Sequence, residues 1–91
     1  MNDIEVIVSR VKCQVPEAKV AQLKVVNPGD DDGIWWFSLP EKAKEIQIES
    51  WTGNCPFMIE HDDMASSDEA ITANTVEDAV EAVVQYLRAI E

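Results

Sequence analysis

The chain has 91 residues, of which 46% are hydrophobic and 27% are charged, and its formal net charge at pH 7 is -11. This composition is typical of a globular chain and argues against global disorder, and the length predicts one domain, 1–91. We expect neither nucleic acid nor an anionic membrane surface as a partner, because binding to phosphate groups needs basic side chains.

The charge is unevenly distributed along the chain. Ten acidic residues and no Lys or Arg lie between Glu45 and Leu87, whereas six of the seven basic residues lie among the first 44. Such asymmetry serves solubility or attracts a basic partner. No run approaches the roughly 20 apolar residues of a membrane span. The first five residues include two acidic ones and no basic one, whereas a secretory signal begins with basic residues, so we expect a cytoplasmic protein.

The first predicted element is a helix that Asn2 or Asp3 can cap and that Pro16 ends. Its apolar residues have helical spacing: Ile4, Ile7, Val8 and Val11. A strand is the alternative, because the segment is rich in β-branched residues, but Ile7 breaks the alternation that a strand needs. Residues 20–26 then predict a strand, and residues 27–33 have the composition of an exposed turn.

Residues 33–60 contain the clearest strand pattern of the chain. Apolar residues occupy both the odd and the even positions of residues 34–39, which predicts a central strand covered on both faces. Ile46 and Ile48 alternate with polar residues, which predicts a strand with one buried and one solvent-exposed face. Residues 52–54 predict a turn and residues 57–60 a returning strand, so the segment reads as a three-stranded antiparallel meander.

The last part of the chain predicts a loop, a short strand and a helix. Residues 62–67 are polar, residues 69–73 can form a fifth strand at an edge, and Thr75 caps the helix with Asp78 three residues later. The apolar stripe of this helix is Val76, Ala79, Val80, Val83, Val84, Leu87 and Ile90. The predicted fold is a single α+β domain, in which a mostly antiparallel meander sheet of four or five strands follows an N-terminal helix and carries a C-terminal helix on one face.

The acidic and reactive side chains do not form a recognised catalytic or metal-binding pattern. The Asp30-Asp31-Asp32-Gly33 run lacks the end ligands of a calcium-binding EF-hand loop. Cys55 and His61 would be separated by roughly 20 Å along one strand, too far for a nucleophile and its base. We therefore assign no catalytic residue, no metal ligand and no cofactor.

The remaining candidate thiol and imidazole groups are interpreted as structural. Cys13 and Cys55 are expected to be free and buried, as in a reducing compartment. His61 is expected to be a surface residue at a strand end, although with Asp62 and Asp63 it offers the alternative of a divalent-ion or acid/base site.

Tryptophans provide the candidate binding surface. One of Trp35 and Trp36 must face away from the other. Trp51 follows the second strand of the meander and continues the alternation of that strand's solvent-exposed positions, so we expect Trp51 to be at least partly exposed. An exposed tryptophan rimmed by carboxylates is typical of a protein-binding hot spot. The predicted partner-binding residues are Trp51, Glu45, Gln47, Glu49, Glu60, Asp62 and Asp63.

Four segments together resemble a family of small acidic bacterial proteins of uncharacterised function: DDDGIWWFSLP, EIQIES, TGNCPF and TVEDAVEAVVQYL, within residues 30–87. The resemblance implies a bacterial, cytoplasmic setting and a role of the toxin-immunity type. It carries over no catalytic residue.

The function hypothesis is a non-enzymatic acidic protein-binding module, for example an immunity-type inhibitor of a basic protein. One alternative is a small carboxylate- or metal-dependent hydrolase that uses its acidic residues or His61. Another is a structural homodimer formed through an uncovered sheet face or an edge strand.

Overall fold

In the computed structural model, which describes residues 2–22, 33–50, 52–62, 64 and 70–91, the chain forms a helix, a five-stranded sheet and a second helix. The elements are α1 (Asp3–Gln14), β1 (Lys19–Gln22), β2 (Ile34–Ser38), β3 (Glu45–Glu49), β4 (Phe57–His61), β5 (Ile71–Ala73) and α2 (Val76–Ala89). The strands are antiparallel and lie in the sheet in chain order. The predicted α+β meander fold is therefore confirmed.

One face of the sheet packs against both helices and forms the core. The strand residues at the centre of this face are at most 1% exposed: Phe37, Ile46, Ile48, Phe57 and Ile59. Of the four residues that the spacing predicts for α1, Ile4, Ile7 and Val11 are buried in this core, and Val8 is half-buried against it. Neither helix is long and apolar enough to cross a bilayer in the part of the chain that the structure describes.

Helix α1 begins at a capping box and is tied to the loop between β3 and β4. The Asn2 side chain accepts a hydrogen bond from the Glu5 backbone N–H, and the Glu5 carboxylate accepts one from the Asn2 N–H. The Ile4 N–H donates to the Gly53 carbonyl at 2.9 Å. Gly53 has φ +79°, a left-handed conformation that glycine adopts without a steric cost. The predicted turn thus also anchors the helix.

Helix α2 confirms the predicted cap and stripe. Thr75 Oγ1 accepts a hydrogen bond from the Asp78 N–H at 3.1 Å. The predicted stripe is buried except for its ends, Val76 and Ile90, which are half-buried. Tyr86, which the stripe did not include, is also buried.

Two of the predicted strands begin at a different residue in the structure, and the predicted strands 34–39 and 57–60 end at Ser38 and His61. The first strand begins at Lys19 and is described to Gln22, so that residues 23–26 of the prediction lie outside the described residues. The fifth begins at Ile71 instead of residue 69, which itself lies outside them. The Asp30–Asp32 run and most of the predicted loop at 62–67 are likewise not described.

Candidate partner-binding surface

The strand register divides the sheet into a helix-covered face and a face on which neither helix packs. Residues directly opposite each other in an antiparallel ladder project to the same side, so the pairing assigns every described strand residue to one face. We call the second side the open face: Lys19, Ala21, Ile34, Trp36, Ser38, Glu45, Gln47, Glu49, Met58, Glu60 and Thr72. Each of these residues is half-buried or exposed.

The adjacent tryptophans lie on opposite faces. Trp35 packs on the core side, where its ring meets that of Phe57 edge-on with centroids 6.5 Å apart. Trp36 lies on the open face, half-buried, and its Nε1–H donates to Gln47 Oε1 at 3.2 Å. The prediction that this strand is covered on both faces was wrong, because α1 and α2 both pack on the side of Phe37.

Apolar and acidic side chains lie next to one another on the open face. One row of paired positions runs Ala21, Trp36, Gln47, Glu60 from β1 to β4. The next row runs Ile34, Glu49, Met58, Thr72 from β2 to β5. Met58 is 47% exposed. The surface therefore offers apolar contact area with carboxylates in its midst.

A small concave site lies where β3 begins and β4 ends. Its volume is about 160 Å³, and it is lined by Trp36, Glu45, Gln47, Glu60, His61 and Asp62. Asp62 Oδ2 accepts a hydrogen bond from the Glu45 backbone N–H at 3.0 Å, which fixes the end of β4 against the start of β3. We call this site the rim pocket.

Most of the predicted partner-binding residues come together on this surface. Glu45, Gln47, Glu49 and Glu60 belong to the open face, and Asp62 borders it in the rim pocket. Trp51 and Asp63 lie outside the described residues, and the predicted exposure of Trp51 stays a prediction.

The sequence-based set omitted the apolar residues of the open face, of which Ile34, Trp36 and Met58 are the largest. A signal for Trp36 was present, since one of two adjacent strand tryptophans must face outward. The choice between Trp35 and Trp36 needed the register.

His61 and Cys55 lie at opposite ends of β4 and have different neighbours. The His61 ring stacks on that of Tyr86, with centroids 4.3 Å apart and planes 23° apart, and His61 is half-buried. The Cys55 backbone N–H donates to Asp3 Oδ2 at 2.9 Å, next to the start of α1. These contacts give each residue a structural role.

The two thiols are free, as predicted, but not equally placed. Cys13 is exposed on α1, which corrects the expectation that both are buried; its position falls outside the apolar stripe of Ile7 and Val11. Cys55 is half-buried. Burial raises the pKa of the Cys55 thiol above its usual value, and a hydrogen bond to Asp3 and the negative charge of that carboxylate raise it further. The thiol is thereby held in its protonated, less nucleophilic form.

A metal centre needs several acidic, histidine or cysteine side chains close together. No group of three of them is arranged to hold a metal ion among the described residues. The hydrolase alternative stays a prediction.

Comparison of the chain with protein-family models, with curated proteins and with solved structures found no match. The resemblance to small acidic bacterial proteins also stays a prediction.

Proposed function

We propose that this chain is a non-enzymatic protein-binding module whose open face binds a basic protein, and that its biological role is immunity-type inhibition of that protein. The observation that carries the proposal is the composition of the open face. A half-buried tryptophan and an exposed methionine lie among three carboxylates, Glu45, Glu49 and Glu60. Aromatic residues and Met are enriched in interfaces, where buried aromatic side chains provide much of the binding energy.

The charge of this surface favours a basic partner over other occupants. Three carboxylates stand against one base, Lys19, on the open face, and the whole chain carries a net charge of -11. Opposite charge speeds diffusional encounter and suppresses wrong partners. A second copy of the chain would instead bring like charges together, which argues against the homodimer alternative.

A bacterial, cytoplasmic setting forms part of the proposal. The free thiols of Cys13 and Cys55 support the cytoplasmic part, because disulfides are rare in reducing compartments. The resemblance of the segments within residues 30–87 supports the bacterial part.

Two equally exposed residues on opposite faces provide a matched test. Met58 is 47% exposed on the open face, and Ile71 is 46% exposed on the other side of the sheet. Met58→Lys and Ile71→Lys make the same change in net charge. The immobilised wild-type protein and both variants would be used for capture from cells of the source organism, after urea melts have established that each variant is folded.

We expect the wild type and Ile71→Lys to retain the same basic protein and Met58→Lys to lose it. With the purified partner, the association rate constant should fall at least about tenfold between roughly 50 and 500 mM salt, because screening removes electrostatic steering. A neutral or acidic partner, an equal loss in both variants, or a salt-independent rate would each refute the proposal. A dimer detected by light scattering would also refute the proposal if Met58→Lys dissociates it.

A further inference from the structure

We infer that the rim pocket binds one arginine side chain of the partner, which anchors the complex at this end of the open face. The inference rests on the proposed function and adds the chemical group that the site recognises. It is carried by the pocket's shape together with the chemistry of its walls.

The walls of the rim pocket match the two surfaces of a guanidinium group. Trp36 lines the pocket, and a guanidinium stacks on an indole ring more effectively than an ammonium does. Glu45, Glu60 and Asp62 offer carboxylate oxygens, which accept the parallel N–H groups of arginine in bidentate hydrogen bonds. A lysine ammonium could use the charge of these carboxylates but neither the flat face nor the fork geometry.

Hydrogen bonds within the protein hold two of these walls in place before a ligand arrives. Trp36 Nε1–H donates to Gln47 Oε1 at 3.2 Å, which orients the indole across β2 and β3. Asp62 is held by the Glu45 N–H at 3.0 Å. A site whose walls are fixed loses less conformational entropy on binding than one whose side chains must first be ordered.

The volume favours a single side chain over a free metabolite. Pockets for drug-sized ligands and cofactors have volumes of about 300–1,000 Å³, whereas the rim pocket has about 160 Å³. Among the described residues that line it there is no Lys or Arg, and His61 is the one residue that could carry a positive charge beside the three carboxylates. An arginine would supply both the missing charge and the apolar stem that covers the indole.

The inference can be tested without the partner, using two small probes of equal charge. N-acetyl-arginine amide and N-acetyl-lysine amide would be titrated separately into the ¹⁵N-labelled protein, and the side-chain amide resonances of Gln47 would be followed by NMR. We expect saturable shifts with the arginine probe and a dissociation constant at least threefold higher for the lysine probe.

Variants then assign the binding to the rim pocket. Glu60→Gln should weaken the arginine probe at least fivefold, whereas Glu81→Gln, which removes the same charge from an exposed position on α2, should leave it unchanged. Trp36→Leu removes the π-face and should abolish the preference for arginine over lysine. Dispersed amide spectra verify that each variant is folded, and either variant alone suffices to refute the assignment if it has no effect.

The outcomes separate this inference from the proposed function. Shifts that do not saturate, or equal affinity for both probes, would mean that the pocket is only part of a general acidic surface. If a few millimolar calcium or magnesium displaces the probe, the ligand of the pocket is a divalent cation and the arginine assignment is wrong. If Met58→Lys abolishes partner binding but Glu60→Gln does not weaken it at least tenfold, the open face is the interface and the arginine anchor is wrong.

Discussion

Replacing Gly53 by alanine perturbs the contact that joins the turn between β3 and β4 to the start of α1. The residue has φ +79°, and a Cβ built there lies 2.8 Å from Asn2 Nδ2 and 3.4 Å from Ile4 Cγ2. Real Cβ atoms essentially never come closer than 3.0 Å to such a neighbour. Alanine therefore meets both an unfavourable backbone conformation and the side chain that caps α1.

The cost can be worked out from these two effects. A left-handed conformation costs a non-glycine residue about 1–2 kcal/mol. Displacement of Asn2 removes an N-cap worth about 1 kcal/mol. The lower entropy of the unfolded alanine variant returns about 0.4–1 kcal/mol. We expect Gly53→Ala to lower the free energy of unfolding by about 1–3 kcal/mol in total.

Urea unfolding of four proteins tests both parts of this reasoning: wild type, Gly53→Ala, Asn2→Ala and the double variant. In the Asn2→Ala background the cap and the clash are already gone, so Gly53→Ala should cost about 1 kcal/mol less than it does in the wild type. Equal costs in the two backgrounds would show that Asn2 is not displaced. A neutral or stabilising Gly53→Ala would refute the conformational argument as well.

Two further predictions concern the thiols and the core. At pH 8, iodoacetamide should modify Cys13 well before Cys55, because Cys13 is exposed and the pKa of Cys55 is raised. Asp3→Asn should lower the pKa of Cys55 and speed its reaction, which peptide mass spectrometry would follow. Modification of Cys55 before Cys13 would contradict the assigned environments. Leu87→Ala should lower the free energy of unfolding by about 2–5 kcal/mol in urea melts, whereas the exposed neighbour Arg88→Ala should change it by no more than about 0.5 kcal/mol; similar effects of both would be inconsistent with the packing of α2.

The raised pKa of Cys55 also has a consequence for stability at alkaline pH. Below the ordinary pKa of a thiol both the folded and the unfolded chain keep this proton, and the contribution of the group to the free energy of unfolding is fully present. Above the ordinary pKa of a thiol the unfolded chain loses the proton first, and the contribution to stability declines as the pH rises toward the higher pKa of the folded state.

Helix and strand patterns could be read from the sequence because they depend on neighbours a few residues apart. Asn2 and Thr75 are capping residues by their own chemistry, and the alternation around Ile46 and Ile48 specifies which side of β3 is buried. The same alternation correctly assigned Glu45, Gln47 and Glu49 to the wet side. The order of short strands with turns between them was sufficient for the antiparallel meander.

Coverage of the sheet depended on packing between distant segments. An apolar strand such as Ile34–Ser38 is compatible with burial on both faces, and only the packing of α1 against α2 on a single side leaves Trp36 on the open face. The exposure of Cys13 likewise follows from which side of α1 meets the core.

The rim pocket depends on strand register. Glu45 at the start of β3 and Asp62 after the end of β4 are 17 residues apart in the chain, and antiparallel pairing brings them into contact. Trp36 joins them because Gln47 pairs with it on one side and with Glu60 on the other. The sequence by itself determined the local periodicities and caps, whereas the tertiary structure determined which side chains meet, because a one-residue change of register would move each of them to the opposite face.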